Sequence, residues 1–112
     1  MGRPKLNRKL RLERGIEAAD GAGGKSLTWV EQGVLWAEIV VRTGRDQAVA
    51  GGLVSRIAYR ITTRASAIGS PSRPLAGDRF RDGSRVFRIE AVAEADAQAR
   101  YLVCFAETEG QQ

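Results

Sequence analysis

The sequence predicts an all-β protein, a small β-barrel or sandwich of about five or six strands. Polar and apolar residues alternate with a period of two over residues 9–13 and again over residues 56–64, which is the pattern of half-buried strands. Asp82-Gly83, which stands between two further apolar segments, is a strong hairpin signal. The 112 residues have the length of one domain, and we expect a core over residues 6–107 and a polar tail over residues 108–112.

The individual strands are predicted from apolar runs and the breaks between them. Residues 18–24, rich in glycine and alanine, predict a flexible connection after the first strand, and residues 26–41 predict a second strand in which Gly33 marks a bulge or a division. Residues 44–55 lack the β pattern, so we expect a long loop between the second and third strands. The remaining predictions are a third strand over 56–64, a Pro-containing loop over 66–77, a hairpin over 78–92 and a last strand over 100–106.

Charge is unevenly distributed along the chain. Lys and Arg number 18 against 13 Asp and Glu, which gives a formal net charge of +5. The first 14 residues and residues 56–88 are basic, whereas the segment after residue 90 is acidic. Arg56, Arg60 and Arg64 share one side of the predicted third strand, opposite Ile57, Tyr59 and Ile61. This asymmetry favours a polyanion or an acidic partner surface, and a solvated face is the alternative.

The residue types present exclude several kinds of catalytic and metal site. The sequence has no histidine and one cysteine, Cys104, so it offers neither a zinc ligand set nor a histidine-activated nucleophile. Residues 23–26, Gly-Gly-Lys-Ser, match only the end of a phosphate-binding loop, and a strand-like segment follows them. We therefore expect no catalytic, cofactor or metal site, and a protein that is not an enzyme. With no signal peptide and no apolar span, we expect synthesis in the cytoplasm and no membrane partner.

The sequence allows two orientations of Trp29 and Trp36 relative to the faces of the second strand. Seven positions separate them, so an unbroken strand would place them on opposite faces, and a bulge near Gly33 would place them on the same face. On one face they would suit stacking on single-stranded nucleic acid. Packing in a core or an interface is the simpler interpretation.

Taken in order, the segments of this chain resemble the phage head–tail joining family from residue 6 to about residue 107. The segments that carry the resemblance are residues 10–14, 20–29, 34–39, 43–46, 55–64, 77–80 and 83–89, with Asp96 and residues 100–102. The Pro-containing segment 67–76 is longer than is typical of that family. The resemblance implies a small β-barrel in the neck of a virion or of a phage-derived gene transfer particle, and assembly in the cytoplasm of a bacterial host.

The resemblance also implies a role and partners. Family members form head-completion, or stopper, rings that retain packaged DNA and dock the tail. We therefore expect a homo-oligomeric ring, six-fold or twelve-fold, that contacts the portal or adaptor protein, a tail terminator or tail tube protein, and double-stranded DNA. The loop 44–55 would reach into the channel. The channel-facing candidates are Arg42, Gly44, Arg45, Asp46 and Arg56, and the partner-interface candidates are Arg8, Arg11, Arg56, Arg60 and Arg64.

A second hypothesis is a free-standing nucleic-acid-binding barrel of the OB or SH3-like kind. The basic charge and the size of the predicted barrel favour it. The aromatic residues count against it, because most of them stand at alternating apolar positions where a core is expected.

Overall fold

Antiparallel strands account for most of the chain. The computed structural model describes residues 3–49 and 52–111, with side chains except at 43–49, 52–55 and 109–111. The strands are β1 (Arg8–Ala19), β2 (Lys25–Val49), β3 (Gly52–Arg64), β4 (Arg79–Asp82), β5 (Arg85–Glu94) and β6 (Tyr101–Gln111). The all-β prediction is confirmed. Among the described residues there is no helix of the length and apolarity that a membrane span requires.

The six strands close into a barrel in the order β1-β2-β3-β6-β5-β4. A short ladder closes it, in which Arg11 of β1 lies opposite Arg81 of β4 and Leu12 lies opposite Phe80. Closure gives both edges of the sheet a partner, so the body of the barrel presents no open edge to solvent.

Alternate side chains of each strand point inward and fill the barrel. Tyr59 packs its ring edge-on against Phe87, with the ring centroids 5.0 Å apart. Cys104 is buried among these residues, and burial raises the pKa of its thiol to about 12. The thiol therefore stays protonated, and Cys104 serves as a small packing residue of the core. The buried cluster comprises Leu10, Leu12, Ala37, Tyr59, Ile61, Phe80, Phe87, Ile89, Cys104 and Ala106.

Two hairpins extend beyond the barrel. β1 and β2 continue their ladder as far as Ala19 opposite Lys25, and we call residues 15–28 the β1–β2 hairpin. β2 and β3 continue as far as Val49 opposite Gly52, and we call residues 44–55 the β2–β3 hairpin. The molecule measures 48 × 35 × 22 Å, with a radius of gyration of 15.6 Å. A compact domain of this length would have a radius of about 13 Å, so the hairpins give the molecule its elongated shape.

The prediction of a long loop over residues 44–55 is wrong, because the described residues of this segment form the arms of the β2–β3 hairpin. Its two arms pair with each other from Thr43 opposite Ala58 onward, and β6 adds pairing as far as Gln111 opposite Val54. Gly44 and Gly52 lower the intrinsic strand preference, but pairing with a neighbouring strand satisfies the backbone and overrides it. The turn at residues 50 and 51 lies outside the described residues.

The predicted hairpin at Asp82-Gly83 is present, with its turn displaced by one residue. Asp82 pairs with Arg85, so the two-residue turn is Gly83-Ser84. Gly83 has a φ of 61°, which the tight hairpin turns require at this position and which glycine adopts without a steric penalty.

Candidate interaction surfaces

A bulge in β2 decides the orientation of the two tryptophans. Leu12 pairs with Gly33 and Glu13 pairs with Glu31, so Gln32 is the extra residue of β2. Trp29 then lies opposite Gly15 and Trp36 opposite Lys9, an even number of positions apart on β1. Both tryptophans therefore lie on the outer face of the sheet, the arrangement that the sequence made conditional on a bulge near Gly33.

Trp29 belongs to a packed stack of side chains on that outer face. The guanidinium of Arg79 lies 4.1 Å from the centroid of the Trp29 ring. The Nε atoms of Arg79 and Arg81 both donate to Oε1 of Glu13, at 2.7 and 3.3 Å. Burial raises the pKa of Glu13, but the hydrogen bonds from the two arginines outweigh burial and hold it below its usual value. Trp29 is thus a packing residue that ties β2 to β1 and β4.

Trp36, in contrast, is open to a partner. It is 55% exposed and borders a groove of about 260 Å³ between the N-terminal segment, β2 and the segment after β3. A groove of this size is smaller than a typical ligand pocket and suits one or two side chains. The lining residues are Leu6, Val34, Leu35, Trp36, Arg64, Ala65, Ser66 and Ser72. Trp36 and Arg64 lie far apart in the sequence, and the fold brings them to one groove.

A buried ion pair fixes the loop between β3 and β4. Nε and Nη2 of Arg14 donate to the two carboxylate oxygens of Asp78, at 3.0 and 2.9 Å. Asp78 is 4% exposed and also accepts a hydrogen bond from the Leu75 backbone N–H at 3.0 Å. Arg14 donates in addition to the carbonyl of Arg73, and its hydrogen bond to Asp78 raises its pKa. Both carboxylate oxygens of Asp78 accept hydrogen bonds within this loop and from Arg14, so the role of Asp78 is structural.

The basic strand face predicted for β3 is present. Tyr59 and Ile61 are buried, whereas Arg60 and Arg64 are exposed on the opposite side. Arg56 continues that side and is partly covered, with its Nη1 3.9 Å from a carboxylate oxygen of Glu107. The structure thus confirms the two-sided strand, and its use as an interface stays a prediction.

The other candidate residues lie in two regions. On the barrel, Arg8 pairs with Asp82, and Arg11 lies 4.0 Å from Glu31. At the base of the β2–β3 hairpin, Arg42 stacks over the Phe105 ring at 4.8 Å. Gly44, Arg45 and Asp46 follow within that hairpin, where only their backbone pairing is described.

Residues 23–26 do not form a phosphate-binding loop. β2 begins at Lys25, and the Asp20 carboxylate accepts hydrogen bonds from the Ala22 and Gly24 backbone N–H groups within the turn. A phosphate loop requires a helix after the glycines, and a strand follows them here. No group of three or more acidic, cysteine or histidine side chains suited to a metal ion occurs in the part of the chain that the structure describes.

Comparison with known proteins relates this fold to phage particles. The family model described as phage head completion protein matches residues 1–109. The chain belongs to the phage head completion protein family. A similar solved structure is a chain from the virion of a native gene transfer agent particle, with 43% sequence identity and a TM-score of 0.88 over 98% of this chain and 100% of that one. No curated protein matches the sequence.

Membership gives this chain a structural role in the phage head. Such a protein acts through surfaces that other proteins contact, and the family implies no enzymatic activity. Among the described residues, the exposed features are the surfaces available for such contacts. They are the outer basic face of β3, the Trp36 groove and the two hairpins.

Proposed function

We propose that this chain is the stopper subunit of a phage-type neck. In this role it forms a ring, six-fold or twelve-fold, between the portal or adaptor protein and the tail terminator or tail tube protein. The ring retains packaged double-stranded DNA and docks the tail, within a virion or a gene transfer particle assembled in the bacterial cytoplasm. The observation that carries the proposal is the full-length similarity to a chain of a gene transfer agent virion.

The shape of the molecule suits a ring subunit. A ring needs a rigid body that packs against its neighbours and an element that reaches towards the axis. The closed barrel supplies the body, and the β2–β3 hairpin is a projection with few neighbours apart from β6. We assign the channel-facing part to this hairpin, with Gly44, Arg45 and Asp46 in it and Arg42 and Arg56 at its base.

The charges at the base of this hairpin support contact with DNA. Arg42 is exposed, and its stacking on Phe105 holds the guanidinium near the point where the hairpin leaves the barrel. Cations held in this way attract phosphate groups without reading the base sequence, which suits a protein that retains DNA of any sequence.

Shortening the β2–β3 hairpin tests the proposal. Replacing residues 47–54 with Asn-Gly keeps Asp46 opposite Ser55 and closes the ladder with a favoured two-residue turn. We expect folded subunits that enter particles, and particles that release DNA or fail to join tails. Packaged DNA protected from nuclease is the measurement.

The matched control replaces Gly83-Ser84, the turn between β4 and β5, with the same Asn-Gly pair. This variant alters a turn without shortening a projection, so its particles should retain DNA normally. Full DNA retention and normal tail joining by the shortened β2–β3 variant would refute the assignment of this hairpin to the channel.

A free-standing nucleic-acid-binding barrel is the second candidate function. The exposure of Arg60 and Arg64, with Trp36 on the neighbouring strand, is the observation that favours it. Binding of the isolated protein to DNA at increasing salt distinguishes the two functions. Tight binding whose affinity falls steeply with salt supports the second candidate, and weak binding supports the neck subunit.

A further inference from the structure

The β1–β2 hairpin projects from the barrel with exposed apolar side chains. Leu27 is 54% exposed on the outer face, beside Trp29 and across from Glu17. Ile16 is 48% exposed and lies on the opposite face, one position along β1. Large apolar side chains on a two-stranded projection stay in contact with water after folding. A partner that covers them therefore gains the free energy of burying them.

The Trp36 groove is a surface of complementary character. Its apolar lining includes Leu6, Val34 and Trp36, and Val34 and Trp36 are 46% and 55% exposed. Arg64 stands in the lining, and Lys9, across from Trp36 on β1, adds a second exposed cation. The groove therefore combines an apolar floor with a basic rim.

We propose that the outer face of the β1–β2 hairpin of one subunit docks into the Trp36 groove of a second copy of this chain. Leu27 enters the groove, and the acidic Glu17 and Asp20 of the hairpin meet the basic rim at Lys9 and Arg64. Two different surfaces on one chain make a head-to-tail contact, which closes into a ring when the rotation between copies permits. The inference rests on the proposed ring and names the surfaces that hold it together.

Charge favours a second copy as the occupant. Near the end of the hairpin stand Glu17 and Asp20 with one cation, Lys25, which lies 3.8 Å from Glu17. Hydrogen bonds from the backbone N–H groups of Ala22 and Gly24 hold the pKa of Asp20 below its usual value, so its carboxylate stays charged. Opposite charge across a contact fixes its orientation and disfavours the reverse pairing of two grooves, both of which are basic.

Cross-linking in assembled particles tests the contact. A chain that carries both Ala22→Cys and Lys9→Cys should form a ladder of covalent dimers, trimers and larger species with a short bis-maleimide, because each subunit joins two neighbours. A chain with only one of the two cysteines should form no ladder. The native Cys104 is buried with a protonated thiol and should remain unlabelled, which the unmodified chain verifies. Ala22→Cys combined with Ser84→Cys, in the turn between β4 and β5, is the control pair.

Two matched substitutions separate the faces of the hairpin. Leu27→Asp should reduce incorporation of the subunit into particles by about 30-fold or more, the effect of losing a central apolar contact. Ile16→Asp, with similar exposure on the opposite face, should change incorporation less than about 3-fold, as a residue outside the contact does. Circular dichroism of both purified variants confirms that they fold.

The outcomes distinguish this inference from the proposed function. Particles that contain the cysteine-pair subunit and retain DNA, yet give no ladder, would overturn the docking contact and leave the stopper function standing. Equal loss of incorporation for Leu27→Asp and Ile16→Asp would also overturn it. Particles that retain DNA without containing the subunit would overturn the stopper function itself.

Discussion

Asp78 is the residue on which the loop between β3 and β4 depends. It is buried, and its charge is compensated by the guanidinium of Arg14. Such a pair adds little net stability compared with apolar residues, but removing one partner leaves the other charge without compensation in a poorly solvated site. This anchor also fixes the side of the groove near Ser72, because Arg14 donates to the Arg73 carbonyl of the same loop.

Replacing Asp78 should destabilise the protein. Asp78→Ala removes the carboxylate to which the Arg14 guanidinium and the Leu75 N–H donate. We therefore expect a loss of about 3 kcal/mol in the free energy of unfolding, measured by urea denaturation. Asp82→Ala, which removes a carboxylate from a more exposed pair with Arg8, should cost less than about 1 kcal/mol. Equal losses for the two variants would contradict the anchoring part given to Asp78.

Glu13 should contribute a pH-dependent part of the stability. Its folded-state pKa lies below its unfolded value because Arg79 and Arg81 donate to it. The carboxylate therefore stabilises the fold above the unfolded pKa, and this contribution is lost as the pH falls through the lower folded pKa. Urea denaturation of the wild type and of Glu13→Gln should differ most near pH 7, with the difference shrinking below about pH 4. A difference that does not change with pH would refute this role.

At the level of elements, the strands of the barrel could be predicted from the sequence and the hairpin extensions could not. The alternation over residues 56–64 identifies the part of β3 that has a buried face. Beyond the barrel a strand can continue without a buried face, as in the β1–β2 hairpin, where Ile16 and Leu27 are exposed on opposite faces, so the period of two disappears. The strand likewise continues by pairing from Gly44 to Val49. Pairing between distant segments decides the structure there.

Of the candidate surfaces, the sequence predicts those that lie on one strand and not those that several segments form together. Arg60 and Arg64 follow from alternation along one strand. The groove beside Trp36 does not, because residues of the N-terminal segment, β2 and the loop after β3 form it together. The orientation of Trp29 and Trp36 depended on the bulge at Gln32, which glycine at position 33 indicated without fixing.

The outer face of β3 should act in assembly and contribute little to folding. Arg60→Glu together with Arg64→Glu reverses two exposed charges, so the thermal midpoint should change little. Incorporation into particles or tail attachment should be lost, because like charges across a contact are repulsive. The control reverses Arg3 and Arg88, which are exposed elsewhere. Normal tailed particles from the Arg60 and Arg64 variant would show that this face is only solvated.

The whole molecule is a closed barrel with two projections, a shape that suits the assembly role we propose. A closed sheet has no free edge along which copies could add by strand pairing, so its contacts must come from side chains and from the hairpins. The β2–β3 hairpin is assigned to the channel and the β1–β2 hairpin to the neighbouring subunit. The family and the gene transfer agent relative support a structural role in a phage-type head, and the neck position that we propose requires both kinds of contact.

The central claim is that this chain retains DNA in the head of a phage-type particle. The most direct measurement is nuclease-protected DNA and tail attachment in particles produced by cells from which the gene for this chain has been deleted. We predict heads that package DNA, lose it on release from the cell and carry no tails, with both defects restored by the intact chain. Tailed particles that protect their DNA in the absence of this chain would contradict the account.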